Sequence, residues 1–255
     1  MQTNSKKTDG SIVVPIDLAD KSVNEFTEQL TALIGSSPRE ISLDCSRLTW
    51  VTSKHVNLLW QAHIQCQDSG IQARLVNTSE KLIRVLKILD IYDLLTCEPA
   101  QSTTRLQISS FTNNSETKPS WEIGFRPEAT EIKVALERFQ NYLTSLKVSD
   151  LFTFEIETVF YEIATNIRLH SGISDDERIL LRCLPNSDKL KMEFQYRGVR
   201  FDPTNKKLEF DIRVAAQSGQ KRGYGLLMIN RMTDSIKYNQ KDTDCNVLTL
   251  EKHWR

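Results

Sequence analysis

Along the first part of the chain, apolar residues switch repeatedly between a two-residue spacing and a spacing of three or four residues. The first spacing predicts strands, and the second predicts helices with one buried face. The predicted strands are Ser11–Asp17, Glu40–Cys45 and Ile71–Leu75, and a helical pattern follows each of them. Gly35 and the run Asp68-Ser69-Gly70 supply stops for the first two helices. This order predicts a small α/β domain with helices packed on one sheet.

The last part of the chain has a different order, with two long helical patterns before most of its strands. One amphipathic helix is predicted after Pro127, and a second runs from about Asp150 to His170. A shorter helix follows Arg222. The predicted strands of this part are Trp121–Phe125, Arg178–Cys183, Leu190–Tyr196, Ser235–Asn239 and Cys245–Glu251. We therefore expect a second α/β domain.

A segment rich in Ser, Thr, Asn and Gln separates the two patterns. Leu106 and Ile108 are compatible with one short strand, whereas Asn113–Ser120 is typical of a flexible connection. We place a first domain at residues 8–99, a linker at residues 100–120 and a second domain at residues 121–255.

Composition and charge limit the classes of function. Lys and Arg number 33 and Asp and Glu also number 33, so net charge gives no reason to expect a nucleic acid or an anionic membrane as partner. The sequence has no apolar run of about 20 residues, as a membrane span requires, and no apolar signal-peptide core. The 5 cysteines form no C-x-x-C pair, which disfavours zinc and indicates a reduced, cytoplasmic chain.

Three polar residues repeat every four positions near the end of the second long helix. Glu162, Asn166 and His170 therefore share one helix face, beside the apolar face that contains Ile163 and Ile167. A carboxylate, an amide and an imidazole in this arrangement suit a metal–phosphate group. A solvated polar face beside a buried one explains the same spacing, so the spacing alone leaves both interpretations open.

The segment after the second predicted strand resembles the STAS domain of anti-sigma-factor antagonists. Leu43-Asp44, then the run from Leu48 to Ser53, then a helix follow the family's order. By this resemblance Ser53 stands where the family has its phosphorylatable serine, at a helix N-terminus that favours a phosphate. Thr52 replaces the usual Asp, and His55 replaces the usual Gly. The alternative role for Ser53 is to cap the helix.

The second domain resembles the Bergerat-fold ATPase domain of anti-sigma-factor serine kinases, within the GHKL superfamily. The resemblance rests on three motifs in the family's order. The first is Glu162-x-x-x-Asn166-x-x-x-His170. The second is Gly198-Val-Arg-Phe201-Asp202-Pro203, and the third is Arg222-Gly223-Tyr224-Gly225-Leu226. The two resemblances together imply a two-domain α/β protein, with an N-terminal STAS-like and a C-terminal Bergerat α/β sandwich.

The resemblance also implies roles for the motif residues. Asn166 would coordinate the Mg²⁺ of Mg-ATP, and Glu162 would take the proton from the substrate hydroxyl. Residues Thr204–Gln220 would form the ATP lid. Two interpretations stay open for the basic residues of this region, which either approach phosphate or belong to a solvated loop: Lys206, Lys207, Arg213, Lys221 and Arg222. The implied nucleotide-binding residues are Asn166, His170, Tyr196, Gly198, Arg200, Asp202, Gly223, Tyr224, Gly225 and Leu226, with the two motif-three glycines approaching the phosphates.

One departure affects adenine recognition. Tyr196 stands where the family has the Asp that accepts a hydrogen bond from adenine. A phenol hydroxyl also accepts hydrogen bonds, but it has no charge and its ring occupies space. Arg200 replaces a glycine of the second motif, at a position that the serine-kinase branch varies. The pattern leaves open a reshaped nucleotide site or a pseudokinase that binds proteins.

The implied function is a bacterial partner-switching regulator: an ATP-dependent serine kinase and anti-sigma-factor module fused to an antagonist-like STAS domain. The alternative is a catalytically inactive pseudokinase and STAS scaffold that acts by protein–protein binding. Expected partners are a STAS-domain protein, a sigma factor or another signalling protein, and homodimers are common in the family. A histidine-kinase relative is a weaker alternative, because the second domain lacks a dimerisation helix bearing a phosphoacceptor histidine.

Overall fold

The computed structural model describes residues 10–100, 119–200, 202 and 223–254. In the N-terminal unit, four parallel strands form one sheet in the order β1-β2-β3-β4. These strands are β1 (Gly10–Val13), β2 (Glu40–Asp44), β3 (Gln72–Thr78) and β4 (Thr96–Pro99). Ile12 is paired with Leu43, and Leu43 with Leu75, so buried side chains are in register across the sheet.

Helices connect the parallel strands, as such strands require. They are α1 (Asp20–Gly35), α2 (Ser53–Asp68) and α3 (Glu80–Ile88), followed by a 3-10 turn at Tyr92–Leu94. Phe26 of α1, Leu59 of α2 and Leu82 of α3 are buried. The predicted α/β layer architecture of the first domain is therefore confirmed.

Some predicted boundaries of the first domain were wrong for identifiable reasons. The first strand ends at Val13 because Pro15 lacks the N–H that a longer ladder needs. Gly35 is the last residue of α1 rather than its stop, and Ser37 takes the left-handed conformation there, with φ 51°. Strand β4 was not predicted at all, because Thr96–Pro99 is short and has no clear apolar alternation.

The C-terminal unit contains a five-stranded antiparallel sheet in the order β5-β6-β7-β9-β8. Buried and half-buried residues alternate strictly along most of the longer strands, so one face of this sheet is covered. Its strands are β5 (Trp121–Phe125), β6 (Ile179–Pro185), β7 (Lys189–Arg197), β8 (Ser235–Gln240) and β9 (Cys245–His253).

Three helices complete the described part of this unit: α4 (Ala129–Ser145), α5 (Asp150–His170) and α6 (Tyr224–Met232). Aromatic rings connect the layers. Phe160 of α5 lies 5.2 Å from Phe139 of α4, 5.6 Å from Phe125 of β5 and 6.0 Å from Phe194 of β7, between ring centroids. The helices α4 and α5 therefore share one core with the covered face of the sheet.

The helical periodicity predicted α5 to the residue, and the five strands of the second domain are all present. Helix α4 begins at Ala129 rather than at Pro127, with Glu128 as its N-cap residue. Several predictions lie outside the described residues: the Leu106–Ile108 strand, nearly all of the linker, Phe201, Pro203, Arg222 and the lid. No helix among the described residues is long and apolar enough to cross a membrane.

Candidate functional site

The polar face predicted on α5 is present, and its three residues differ in exposure. Glu162 is buried, Asn166 is half-buried and His170 is exposed at the end of the helix. The Nδ2 atom of Asn166 is shielded from solvent and has no hydrogen-bond partner in the described part of the chain. A buried amide donor without a partner is costly, so this atom marks a place for an acceptor from outside.

The second motif begins where β7 passes very close to the end of α5. Gly198 has φ 142°, and a Cβ atom added there would lie 2.5 Å from the carbonyl oxygen of Ser171. The backbone N–H of Val199 donates to that same carbonyl at 2.6 Å. Only glycine fits this approach, which brings the first and second motifs together.

Tyr196 does not turn out to solvent. It lies on the covered face of β7 with Met192 and Phe194, and only 2% of it is exposed. Burial raises the pKa of its hydroxyl, and the nearby Tyr238 and Asp202 raise it further. The phenol is therefore neutral in the folded protein. A neutral, buried ring therefore occupies this position of β7.

Neighbouring strands add two polar residues to this end of the site. Asn246 of β9 is paired with Tyr196 and is fully buried. Its Oδ1 accepts a hydrogen bond of 2.5 Å from the hydroxyl of Tyr238 on β8, and its Nδ2 donates to the carbonyl of Gly198 at 3.0 Å. Both functional groups of the Asn246 amide are thus bonded to the protein.

Arg200 and Asp202 lie at the rim of the same region. The guanidinium of Arg200 lies 5.6 Å from the ring centroid of Tyr238, and its Nη2 is 3.5 Å from Oδ2 of Asp202. Arg200 therefore covers the ring of Tyr238. The cation contacts an aromatic face and a carboxylate at once.

The third motif begins α6. Gly223, with φ 119°, precedes the helix, and Tyr224 at its start is buried. Gly225 and Leu226 lie in the first turn. Glycines thus lie immediately before this helix and in its first turn, as the family resemblance implies for a phosphate site.

A second candidate site lies at the start of α2. Thr52 is the N-cap residue, and Ser53 is the first residue of the helix and is half-buried. The expectation that Ser53 caps α2 was therefore wrong. His55 completes the cap instead, because its Nδ1 lies 3.2 Å from the backbone nitrogen of Thr52 and 2.9 Å from its Oγ1.

Sequence reasoning missed Asn246 and Tyr238 as members of the site. No local signal marks them, because they reach Tyr196 only through the pairing of β7 with β9 and of β9 with β8. It also missed the cap made by Thr52 and His55. The usual capping box has Glu or Gln three residues after the cap, and here that position is His.

One cavity of about 520 Å³ lies elsewhere in the C-terminal unit, beside β5 and α4. Trp121, Arg138 and Tyr142 are among the residues that line it. None of the motif residues does.

Comparison with known families agrees with these elements. The profile described as "Histidine kinase-like ATPase domain" matches residues 125–252, and the profile described as "STAS domain" matches residues 3–104. The chain belongs to the histidine kinase-like ATPase family. Its N-terminal half is a STAS domain. No curated protein matches this STAS–ATPase chain.

Two solved structures are similar to parts of the STAS–ATPase chain. The SiaB–SiaC complex from Pseudomonas aeruginosa has 17% identity and a TM-score of 0.42, covering 51% of this chain and 88% of that one. The RsbU and RsbW domains of Rv1364c from Mycobacterium tuberculosis have 12% identity and a TM-score of 0.40, covering 54% of this chain and 33% of that one. The STAS–ATPase chain thus spans a third of that second structure's length. Both TM-scores are low, so neither likeness bears on function.

The two ends of the ATPase-like site differ in how well they fit a nucleotide. At the phosphate end, the unpartnered donor of Asn166 and the glycines before and in α6 fit a phosphorylated ligand. At the position expected from the resemblance to contact adenine, Tyr196 is buried and neutral and offers no charged acceptor. No group of His, Cys, Asp and Glu side chains suited to hold a metal ion occurs among residues 10–100, 119–200, 202 and 223–254.

Proposed function

We propose that this STAS–ATPase protein is a bacterial partner-switching regulator that acts by binding other proteins. In this proposal its ATPase-like domain is a pseudokinase, and its STAS domain is the antagonist-like half of the same chain. The partners are a STAS-domain protein, a sigma factor or another signalling protein.

The burial of Tyr196 is the observation that supports this proposal. Adenine recognition in the resembled family needs a charged acceptor, and a buried phenol of raised pKa has no charge at neutral pH. Asn246 does not replace the charged acceptor, because its buried amide oxygen is neutral and already accepts one hydrogen bond, from Tyr238. An ATPase fold without adenine recognition retains its surfaces for protein partners.

A second candidate is an Mg-ATP-dependent serine kinase that acts on a STAS serine, either Ser53 or one on another protein. The side-chain Nδ2 of Asn166 favours this kinase candidate, because this shielded donor has no hydrogen-bond partner among the described residues and could donate to a phosphate oxygen. The buried carboxylate of Glu162 is also retained at the position of the family's base.

Calorimetry with Mg-ATP separates the two candidates. We expect that the wild-type chain does not bind Mg-ATP even at about 1 mM, the highest of the usual KM values for substrates. Tyr196→Asp restores the family's acceptor, so it should gain binding, whereas Tyr196→Phe should not. Adding Asn166→Ala to Tyr196→Asp should remove the gain.

The opposite result has a clear meaning. If the wild-type chain binds Mg-ATP and loses that binding with Asn166→Ala, the pseudokinase proposal is wrong. Mass spectrometry of the chain after incubation with ATP, compared with Ser53→Ala, then tests the kinase candidate. Thermal unfolding of each variant controls for misfolding, and Tyr196→Asn serves as a second, uncharged variant.

A further inference from the structure

A buried histidine ties the start of α2 to the segment that follows β1. His55 is only 3% exposed. Its Nδ1 faces the backbone N–H of Thr52 at 3.2 Å, and its Nε2 lies 3.3 Å from the carbonyl oxygen of Ile16. One imidazole therefore bonds to the backbone of both Ile16 and Thr52, which are 36 residues apart along the chain.

These two bonds require one tautomer of the imidazole. The backbone N–H of Thr52 is a donor only, so Nδ1 must accept and must have no proton. The carbonyl of Ile16 is an acceptor only, so Nε2 must hold the proton. Neutral His55 with its proton on Nε2 satisfies both groups. A second proton on Nδ1 would leave the buried N–H of Thr52 without an acceptor, and Nδ1 could then contact the cap only by donating to the Thr52 hydroxyl oxygen, 2.9 Å away.

The surroundings of His55 keep it neutral. Burial lowers the pKa of its imidazole, and the bond to Ile16 opposes that effect. The charged groups on the neighbouring segments are Asp17, Asp44 and Lys54. Asp17 accepts from the backbone of Ala19, Asp44 accepts from Ser46 and Asn77, and Lys54 is exposed. None of these three contributes to the shift of the His55 pKa.

Ser53 lies between the two residues that form this cap. We infer that His55 is a positioning residue for Ser53. Neutral His55 holds Thr52, and with it the adjacent Ser53, through the hydrogen bond from the Thr52 N–H to Nδ1. Protonation of Nδ1 breaks this bond and releases the segment. The inference deepens the second candidate function, the form in which Ser53 is the STAS serine that is phosphorylated. In this arrangement the start of α2 opens as pH falls below the ordinary histidine range, about 6.5.

Hydrogen exchange in the full chain tests the inference. NMR exchange rates of the Thr52 and Ser53 amides, corrected for intrinsic rates, are measured between about pH 5 and pH 8. In the wild-type chain their protection should fall by about tenfold as His55 becomes protonated, the equivalent of one lost net hydrogen bond. In His55→Gln the amide oxygen still accepts from Thr52 but does not titrate, so protection should persist at all these pH values.

His63→Gln is the matched control. His63 also lies in α2 and burial also lowers its pKa, but its Nδ1 has no hydrogen-bond partner among the described residues. This variant should keep the wild-type pH dependence. Equal pH dependence in wild type and His55→Gln would overturn the inference.

A measurement on the wild-type chain alone covers the case in which a variant fails to fold. Long-range ¹⁵N–¹H correlation of the His55 ring should show the proton on Nε2 at neutral pH, and a proton on Nδ1 overturns the inference. The exchange result in Ser53→Ala should match wild type. A protein in which Ser53 is never phosphorylated therefore contradicts the Ser53 form of the second candidate function and leaves this test unaffected.

Discussion

Gly198 is the residue on which the junction of the first two ATPase motifs depends. Its positive φ and its close approach to Ser171 let the N–H of Val199 donate to the carbonyl of Ser171 at the end of α5, and its own carbonyl accepts from Asn246 of β9. A side chain at this position would meet backbone rather than a movable side chain, so the strain has no inexpensive relief.

We expect Gly198→Ala to lower the free energy of unfolding by about 2 kcal/mol, from the strained φ and the backbone clash. Chemical denaturation measures this. Gly124→Ala in strand β5 is the matched control, because a Cβ atom there meets only side-chain atoms, of Arg178 and Leu180, at ordinary distances of 3.7 Å and 4.0 Å. If Gly198→Ala lowers the free energy of unfolding no more than Gly124→Ala does, the prediction is contradicted.

Asp234 gives the C-terminal unit a defined response to acid. Its Oδ2 accepts from the backbone N–H of His253 at 2.7 Å and lies 2.8 Å from the ring Nδ1. Burial acts to raise the pKa of Asp234, but the bonds from His253 lower it overall, below its ordinary value of 3.8. The ionised carboxylate is therefore favoured by folding. Its contribution is complete above about pH 4 and is lost as pH falls through the lower pKa of the folded state.

Asp234→Asn should therefore destabilise the protein at neutral pH and have progressively less effect below about pH 4. Denaturation at several pH values follows the difference between variant and wild type. Asp188→Asn is the control, since Asp188 is more exposed and 3.6 Å from Nε2 of His253. If the difference in unfolding free energy between Asp234→Asn and wild type stays constant down to pH 2, well below the ordinary carboxyl range, the ionised carboxylate of Asp234 is not its cause.

Between elements, a buried ion pair joins α5 to β9. Nζ of Lys252 lies 2.6 Å from Oε2 of Glu155, with 15% and 7% of the two side chains exposed, and it also donates to the carbonyl of Met232 at the end of α6. Three elements thus meet at one ammonium group. Removing one partner leaves the other charge buried and unpaired.

We predict that Glu155→Leu lowers the free energy of unfolding by about 3 kcal/mol, whereas Glu155→Leu combined with Lys252→Met costs clearly less. Asp244→Ala is the control, because its pair with Arg197 is exposed on both sides and should be worth no more than about 1 kcal/mol. If the double variant is as unstable as the single one, the unpaired charge is not the cause.

The elements that sequence predicted well are those whose pattern is long and local. Helix α5 has 21 residues with apolar side chains at helical spacing, and its predicted bounds match. Strand β4 has four residues and takes its place only by pairing with β3, so its own sequence gave no signal. The same holds for the candidate site. Tyr196 could be identified from the sequence because it lies two residues before the second motif. Asn246 and Tyr238 could not, because they reach Tyr196 only through the pairing of β7 with β9 and of β9 with β8.

For the whole molecule, each sheet is built from strands of one half only. Each half also has its own buried apolar residues, such as Leu43 and Leu75 in one and Phe160 and Phe194 in the other. We therefore predict that residues 1–104 and 119–255, produced separately, each unfold in a single cooperative transition seen by circular dichroism. A half that shows no transition would contradict this independence, and the intact chain is the reference.

The strand order of the second sheet has a consequence for synthesis. Strand β9 lies between β7 and β8, although it is made after both of them. On the ribosome the STAS half is complete long before this, so it is free to fold while the ATPase half still waits for its central strand. A chain released before residue 245 would leave β8 without a neighbour and β7 with an open edge. Chains truncated shortly before β9 should therefore aggregate through the exposed edge of β7 rather than retain partial function.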